Sequence, residues 1–220
     1  MKHKNVMLLI VLLVCIGLTE LKAQTVKDID GNVYHTIVIG KQVWMEENLK
    51  TTKYNDGKAI PLVTDDKDWG ALTTPAYCWY KNDAKVNKNT YGALYNWYTV
   101  NTNKLCPKGW HVPTDAEWTT LTTYLGGEGV VGGKLKETGT THWKRPNTMA
   151  TNSSGFTARA SGGRYEDGKF YDLASKGYWW SSTEGGEANA WCFELQYAIR
   201  SINRLGSKKL SGWSVRCLRN

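Results

Sequence analysis

The chain of 220 residues holds 28 Lys and Arg against 20 Asp and Glu, a net charge of +8, and no nucleic-acid-binding motif accompanies that charge, so nucleic acid is set aside as a partner. Eleven Trp and twelve Tyr stand against three Phe, with 22 Gly. Trp and Tyr join an apolar body to a polar tip and suit half-buried surfaces and stacking on sugar rings, so irregular loops over a small β framework are expected.

Residues 1–23 begin with Lys2 and Lys4, continue through an apolar run from Val6 to Leu18 and end on the small Ala23, the build of a signal peptide. The run falls short of the roughly 20 apolar residues a membrane-spanning helix needs. Cys15 raises a lipoprotein alternative, but Leu12, Leu13 and Val14 precede it where a lipoprotein peptidase wants a small residue. Cleavage after Ala23 takes away Lys2, Lys4, Lys22 and Glu20 and leaves 197 residues with a net charge of +6. That length suits a single domain over residues 24–220 with no transmembrane segment.

Val26 to Trp44 reads as a hairpin turning at Asp30-Gly31, with β-branched alternation in its second arm. Asp28-x-Asp30-Gly31-Asn32 has the opening letters of a calcium loop, but Ile39 stands where the bidentate Glu belongs, so it reads as a turn. Lys50 to Leu62 is polar and turn-rich, and Asp65 to Trp69 continues an exposed loop. Tyr77 to Tyr80 makes a short strand, after which Tyr91, Leu94, Tyr95 and Tyr98 are spaced for a short helix.

Thr114 and Glu117 have the spacing of a capping box, so a helix begins near Asp115. Trp118, Leu121 and Leu125 give it one apolar face, and Gly126-Gly127 ends it. Gly127-x-Gly129-x-x-Gly132 matches a dinucleotide fingerprint by letter but follows a helix instead of a strand. A second short helix is placed at Gly133 to Glu137, and His142 to Gly177 reads mostly as loop. From Trp191 to Arg200, Trp191, Phe193 and Leu195 alternate with Cys192, Glu194 and Gln196, which puts Trp191 on the core side of a strand. Trp213, Val215 and Cys217 continue that rule.

Seven segments carry a family resemblance: LCPKGWHVPTDAEWTTL (Leu105 to Leu121), DIDGNVYHTIVIGKQVWMEENLKTTKYNDG (Asp28 to Gly57), YCWYKND (Tyr77 to Asp83), YGALYNWY (Tyr91 to Tyr98), PNTMATNSSGF (Pro146 to Phe156), YWWSSTE (Tyr178 to Glu184) and GWSVRCLRN (Gly212 to Asn220). Together they resemble the Fibrobacter succinogenes major paralogous domain family, which implies an extracytoplasmic bacterial protein of unsettled function. VPTDAEW and SVRC are also similar to the formylglycine-generating-enzyme branch of the C-type-lectin-like fold. The expected fold is therefore α+β and C-type-lectin-like, with small antiparallel sheets, one or two short helices and long loops.

Cys78, Cys106, Cys192 and Cys217 remain after processing, an even count that favours disulfides and leaves three pairings open. The lectin-like resemblance implies Cys106–Cys217, which leaves Cys78–Cys192. His35, His111 and His142 have no Cys or His at metal-ligand spacing, and no nucleophile elbow exists. Calcium-dependent lectins use Glu-Pro-Asn with Trp-Asn-Asp, where this chain has Arg145-Pro146-Asn147 and Trp191-Cys192-Phe193, so neither metal nor cofactor is expected.

A ligand surface is expected from the long loop and the strands after it. Asn147, Asn152, Asp172, Ser181, Ser182 and Glu184 would bond sugar hydroxyls, and one of Trp179 and Trp180 would face outward, since neighbours on a strand point to opposite sides. The competing reading makes Gly177 to Ser182 a core motif that closes the fold. From Gln196 onward Arg200, Arg204, Lys208, Lys209, Arg216 and Arg219 are unopposed by acid. They suggest either a basic face toward acidic polysaccharide or lipid or a solvated strand edge. The resulting expectation is an exported, non-catalytic binding or adhesion module for glycans. Recognition of a cell-surface protein is the rival. A copper-dependent, formylglycine-generating-like oxidase ranks third, because it needs two nearby cysteines and Cys192 and Cys217 are far apart in sequence.

Overall fold

The computed structural model describes residues 24–220, so the expected signal peptide and the Cys15 alternative lie outside the described residues. Strands β1 (Thr25–Lys27), β2 (Val33–Ile39) and β3 (Gln42–Met45) form an antiparallel meander. Asp28 closes the first turn by accepting the N–H groups of Asp30 (3.0 Å) and Asn32 (2.9 Å), with Gly31 at φ 82°. A second turn at Gly40 (φ 62°) splits the expected single hairpin in two.

Helix α1 (Asp66–Gly70) replaces the expected exposed loop: Asp65 caps the N–H groups of Lys67 and Asp68, and Trp69 is fully buried. Strand β4 (Tyr77–Cys78), a 3₁₀ turn (Tyr80–Asn82), α2 (Ala84–Tyr91), β5 (Leu94–Tyr95) and α3 (Trp97–Val100) follow. The helix expected across Tyr91 to Tyr98 does not form, because Gly92 at φ 77° ends α2 and β5 pairs with β4. After β6 (Trp110–His111) comes α4 (Asp115–Tyr124), opened by the complete Thr114–Glu117 capping box.

Helix α5 (Glu128–Leu135) starts earlier than expected. Beyond it lie β7 (Ser161–Arg164), β8 (Phe170–Leu173), β9 (Lys176–Glu184), β10 (Asn189–Gln196), β11 (Ile202–Lys208) and β12 (Leu218–Arg219). The segment read as loop thus contains two strands; Gly163 gives β7 no side chain because a Cβ there would run into the Trp213 ring. The described residues mix curled antiparallel sheets with five short α-helices, more than the one or two expected.

The strand orders are β1-β2-β3-β12-β6, β11-β10-β9-β7-β8 and β4-β5, antiparallel throughout except for the parallel β7–β9 pair. The second sheet lies between two cores. Tyr178, Trp180, Cys192 and Trp213 belong to one, and Trp179, Phe193 and Leu195 join Trp44, Trp118 and Phe156 in the other. Both faces of β9 and β10 therefore carry buried side chains, and Trp179 and Trp180 are both fully buried. Each indole N–H finds the acceptor burial demands, Trp179 on Asn48 Oδ1 (2.8 Å) and Trp180 on the Tyr95 carbonyl (2.7 Å). The core reading of Gly177 to Ser182 prevails over the outward Trp. Trp191 is corrected the other way: a register shift between Ala190 and Cys192 leaves it half-buried under the Arg204 guanidinium, 3.4 Å from its ring centre.

Cys106 and Cys217 form a disulfide, with Cα atoms 6.0 Å apart. Cys78 and Cys192 do not pair: both are free and buried, Cys78 in a small cluster with Trp69 and Leu94, Cys192 in a separate core with Tyr178, Trp180 and Trp213. The buried Lys136 ammonium donates to the carbonyls of Thr148 (2.9 Å), Gln196 (3.0 Å) and Ile199 (2.8 Å), which ties the irregular 147–152 segment to the end of β10. Among the described residues no helix is long and apolar enough to cross a membrane.

Candidate functional site

A groove of about 250 Å³ runs over the β9–β10–β11 face where Tyr178, Cys192 and Glu194 point the same way. Strand register sets this: Glu194 lies opposite Tyr178 on one side and Asn203 on the other, and Cys192 opposite Leu205. Tyr165, leaving β7, crosses to meet them. Its hydroxyl lies 2.6 Å from Asp172 Oδ2 and 2.7 Å from the Tyr178 hydroxyl, which itself donates to Asp172 (2.8 Å). The floor is aromatic, with Tyr178 stacked on Trp213 at 4.3 Å and Tyr165 edge-on to Trp213 at 5.0 Å.

Charge in the groove is arranged around one ammonium. Lys176 Nζ lies 3.2 Å from Glu194 and 3.8 Å from Asp172. Glu194, although buried, also accepts from Gln196 (2.5 Å) and Asn203 (2.8 Å), so its carboxylate is fully held. Burial, reinforced by Asp172, pushes both phenols well above the usual tyrosine value, and they stay proton donors. Burial likewise pushes the Cys192 thiol up to about 12, which removes it as a nucleophile at neutral pH. Leu205 (38% exposed) is on the groove's rim, and Tyr171 (43% exposed) packs edge-on behind Tyr165 with ring centres 5.2 Å apart.

Of the residues expected to bind ligand, Asp172 alone bears on this groove, behind its lining, where it accepts from the Tyr165 and Tyr178 hydroxyls. Asn147 is buried and donates to the carbonyls of Glu137 (2.9 Å) and Gly139 (2.7 Å), a loop brace. Asn152 braces Thr157 within the same loop. Ser181 is fully buried, the Ser182 N–H bonds the Pro113 carbonyl, and Glu184 pairs with Lys209 at the far end of β9. Sequence reading missed Tyr165, Lys176 and Ser207; Glu194 and Tyr178 were legible only as members of strands.

The family model of the Fibrobacter succinogenes major domain matches residues 37–219, a span that includes every residue of the groove. The chain belongs to this family. No curated protein and no solved structure matches it. In this member of the Fibrobacter succinogenes major domain family the disulfide joins the Cys-Pro-x-Gly-Trp segment to the Ser-Val-Arg-Cys ending, so Cys217 has no thiol to offer beside Cys192. The histidines bond to neighbouring side chains: His111 to Glu117 (2.9 Å) and Asn220 (2.7 Å), His142 to Glu137 (2.6 Å), and His35 to Glu47 (2.6 Å). Asp28 and Asp30 are likewise consumed by turn and loop hydrogen bonds, Asp30 accepting from the N–H and hydroxyl of Thr52.

Proposed function

We propose that this protein is an exported, non-catalytic binding module of the lectin-like type that recognises glycans at or outside the cell envelope through the Tyr165–Tyr178 groove. One observation carries the reading: phenol hydroxyls, two carboxylates and an ammonium gather over an aromatic floor beside an exposed tyrosine. Sugars are bound by this combination, since a ring face packs on an aromatic while its hydroxyls bridge fixed donors and acceptors. The two carboxylates against one ammonium favour a neutral, hydroxyl-rich ligand over an acidic one. Held phenols, an inert thiol and a locked Cys217 support binding over oxidase chemistry, and the disulfide is compatible with an oxidising compartment.

The test is binding of residues 24–220 to a panel of soluble and insoluble glycans, with and without a chelator. Tyr171→Ala and Asp172→Asn should each weaken binding about tenfold or more, and the chelator should change nothing. A blank across the panel moves the assignment to a protein partner.

A further inference from the structure

Two arginines are buried in this fold, and they are not equally provided for. Arg164 engages every nitrogen: Nε on the Gly168 carbonyl (2.7 Å), Nη1 on Val63 (2.7 Å), and Nη2 on Thr64 (2.8 Å), Asp65 (3.0 Å) and the Asp66 carboxylate (3.0 Å). Arg216 is 2% exposed, donates only to the Phe156 carbonyl and to Asn48 Oδ1 (3.1 Å), and leaves its Nε–H without an acceptor. Among the described residues no carboxylate forms an ion pair with it. A buried cation without a direct ion pair is costly to a fold; burial drives this guanidinium's pKa down, and the neighbouring Glu47 and Glu46 carboxylates oppose that shift only in part.

Arg216 lines a cavity of about 150 Å³, separate from the groove, together with Glu46, Lys50, Asn89, Thr157 and Arg159. An apolar cavity of about this volume holds a benzene ring; this wall is polar, so it suits a ring that carries polar groups. The wall is also built. Gly92 at φ 77° lets the end of α2 close on the strand-end segment, where a Cβ would come within 2.8 Å of Asn48 Cβ and of the Leu49 carbonyl. Thr157 is held at φ 54°, a conformation β-branched residues avoid, by Asn152, whose Oδ1 accepts its N–H (2.8 Å) and whose Nδ2 donates to its hydroxyl (3.0 Å). Such enforced conformations concentrate at ligand sites.

The charges at the wall divide into used and unused. Arg159 is committed to Glu137 (2.9 Å) and Glu47 to His35 (2.6 Å). Lys50 touches only the amide of Asn89 (3.2 Å) and a tyrosine face, so it and Arg216 are cations without acid partners, against Glu46 as the one uncommitted carboxylate.

We propose that this cavity binds a hexuronate, with the sugar's carboxylate on Arg216 and Lys50 and its hydroxyls on Glu46, Asn89 and Thr157. This goes beyond the groove, whose charge favours a neutral sugar, and makes the protein bivalent for a polysaccharide that carries acidic residues among neutral ones. No bond is made or broken.

Calorimetric titration of residues 24–220 with galacturonate, glucuronate, their short oligomers, galactose, glucose and acetate tests it. The uronates should bind about tenfold or more tightly than the matching neutral sugars and than acetate; oligomers binding better than monomers would identify a polysaccharide as the source, the reverse a free sugar acid. Lys50→Glu, at a half-buried side chain that no ion pair needs, should abolish that preference with an unchanged thermal midpoint, and Arg216→Lys should weaken it while keeping the charge. Tyr171→Ala should leave it intact. Uronates binding no better than neutral sugars and acetate, or a preference that survives Lys50→Glu, overturns the proposal. Neutral-glycan binding sensitive to Tyr171→Ala but without any uronate preference sinks this site and leaves the groove standing; the opposite pattern does the reverse.

Discussion

At the scale of single residues, Trp179 and Trp180 occupy adjacent positions on β9 and enter opposite cores, each with its indole N–H satisfied. Alternation along a strand correctly separates them, but sequence cannot say that the sheet has a core on both sides. Trp180→Ala should cost about 3–5 kcal/mol in denaturant unfolding, so any ligand it loses is lost through the fold. The free thiols give a second outcome. Burial pushes Cys78 and Cys192 from an ordinary 9.0 up to about 12. An aromatic disulfide reagent at pH 8 should find neither in native residues 24–220 and both after denaturation; because the unfolded chain releases those protons first, stability from this source falls as pH rises from about 9 toward 12. His35 is raised above 6.5 chiefly by its hydrogen bond to Glu47. Its contribution is complete below 6.5 and disappears as pH climbs through the folded value. An NMR titration should place its midpoint above 6.5, and Glu47→Gln should bring it back.

At the scale of elements, local signals were readable and non-local ones were not. Thr114 and Glu117 sit three residues apart and define the start of α4 with no help from the rest of the molecule; the Glu117 carboxylate also returns to the Thr114 N–H (2.8 Å). Thr114→Ala should destabilise by about 1 kcal/mol in urea unfolding. The spacing of Tyr91, Leu94, Tyr95 and Tyr98 misled because one residue, Gly92, turns the chain out of the helix into β5. Glycine in α5 follows a different logic. Ala at a helix interior normally gains about 0.5–1 kcal/mol over Gly, but a Cβ on Gly132 would collide with the Ser201 and Arg200 carbonyls, and overpacking costs about 1–3 kcal/mol. Gly132→Ala should therefore lower the melting temperature, which assigns Gly132 to packing, whereas Gly127 and Gly129 have open space where a Cβ would sit.

At the scale of the whole molecule, the disulfide links residues 111 apart in sequence and ties the segment before α4 to the chain's last strand. Replacing both Cys106 and Cys217 by Ser should cost about 2–5 kcal/mol. The pairing was legible only through family resemblance, and the companion pair Cys78–Cys192 fails because those thiols lie in different apolar clusters. The basic stretch from Gln196 onward does not form one face either: Arg216 is buried, Lys209 turns to Glu184, and Arg204 to Asp115. Sites suffered most. The groove joins β7, β9, β10 and β11, and the cavity joins residues near 46–50, 89–92, 157–159 and 216, so neither has a linear signature. Asn152 and Trp179, expected to touch a glycan, instead bond Thr157 and Asn48 behind the cavity wall.

The most direct measurement is an NMR titration of the tryptophan indole N–H signals of residues 24–220 with the best oligosaccharide from the glycan panel. Trp213 Nε1 bonds Ser207 Oγ (2.8 Å) at the groove wall, while Trp143 Nε1 bonds the Ala158 carbonyl (2.9 Å) in the other core. The expected result is a saturable shift of Trp213 with Trp143 unmoved. An unmoved Trp213 under saturating ligand, or shifts confined to Trp143 and its neighbours, would contradict the groove as the glycan site.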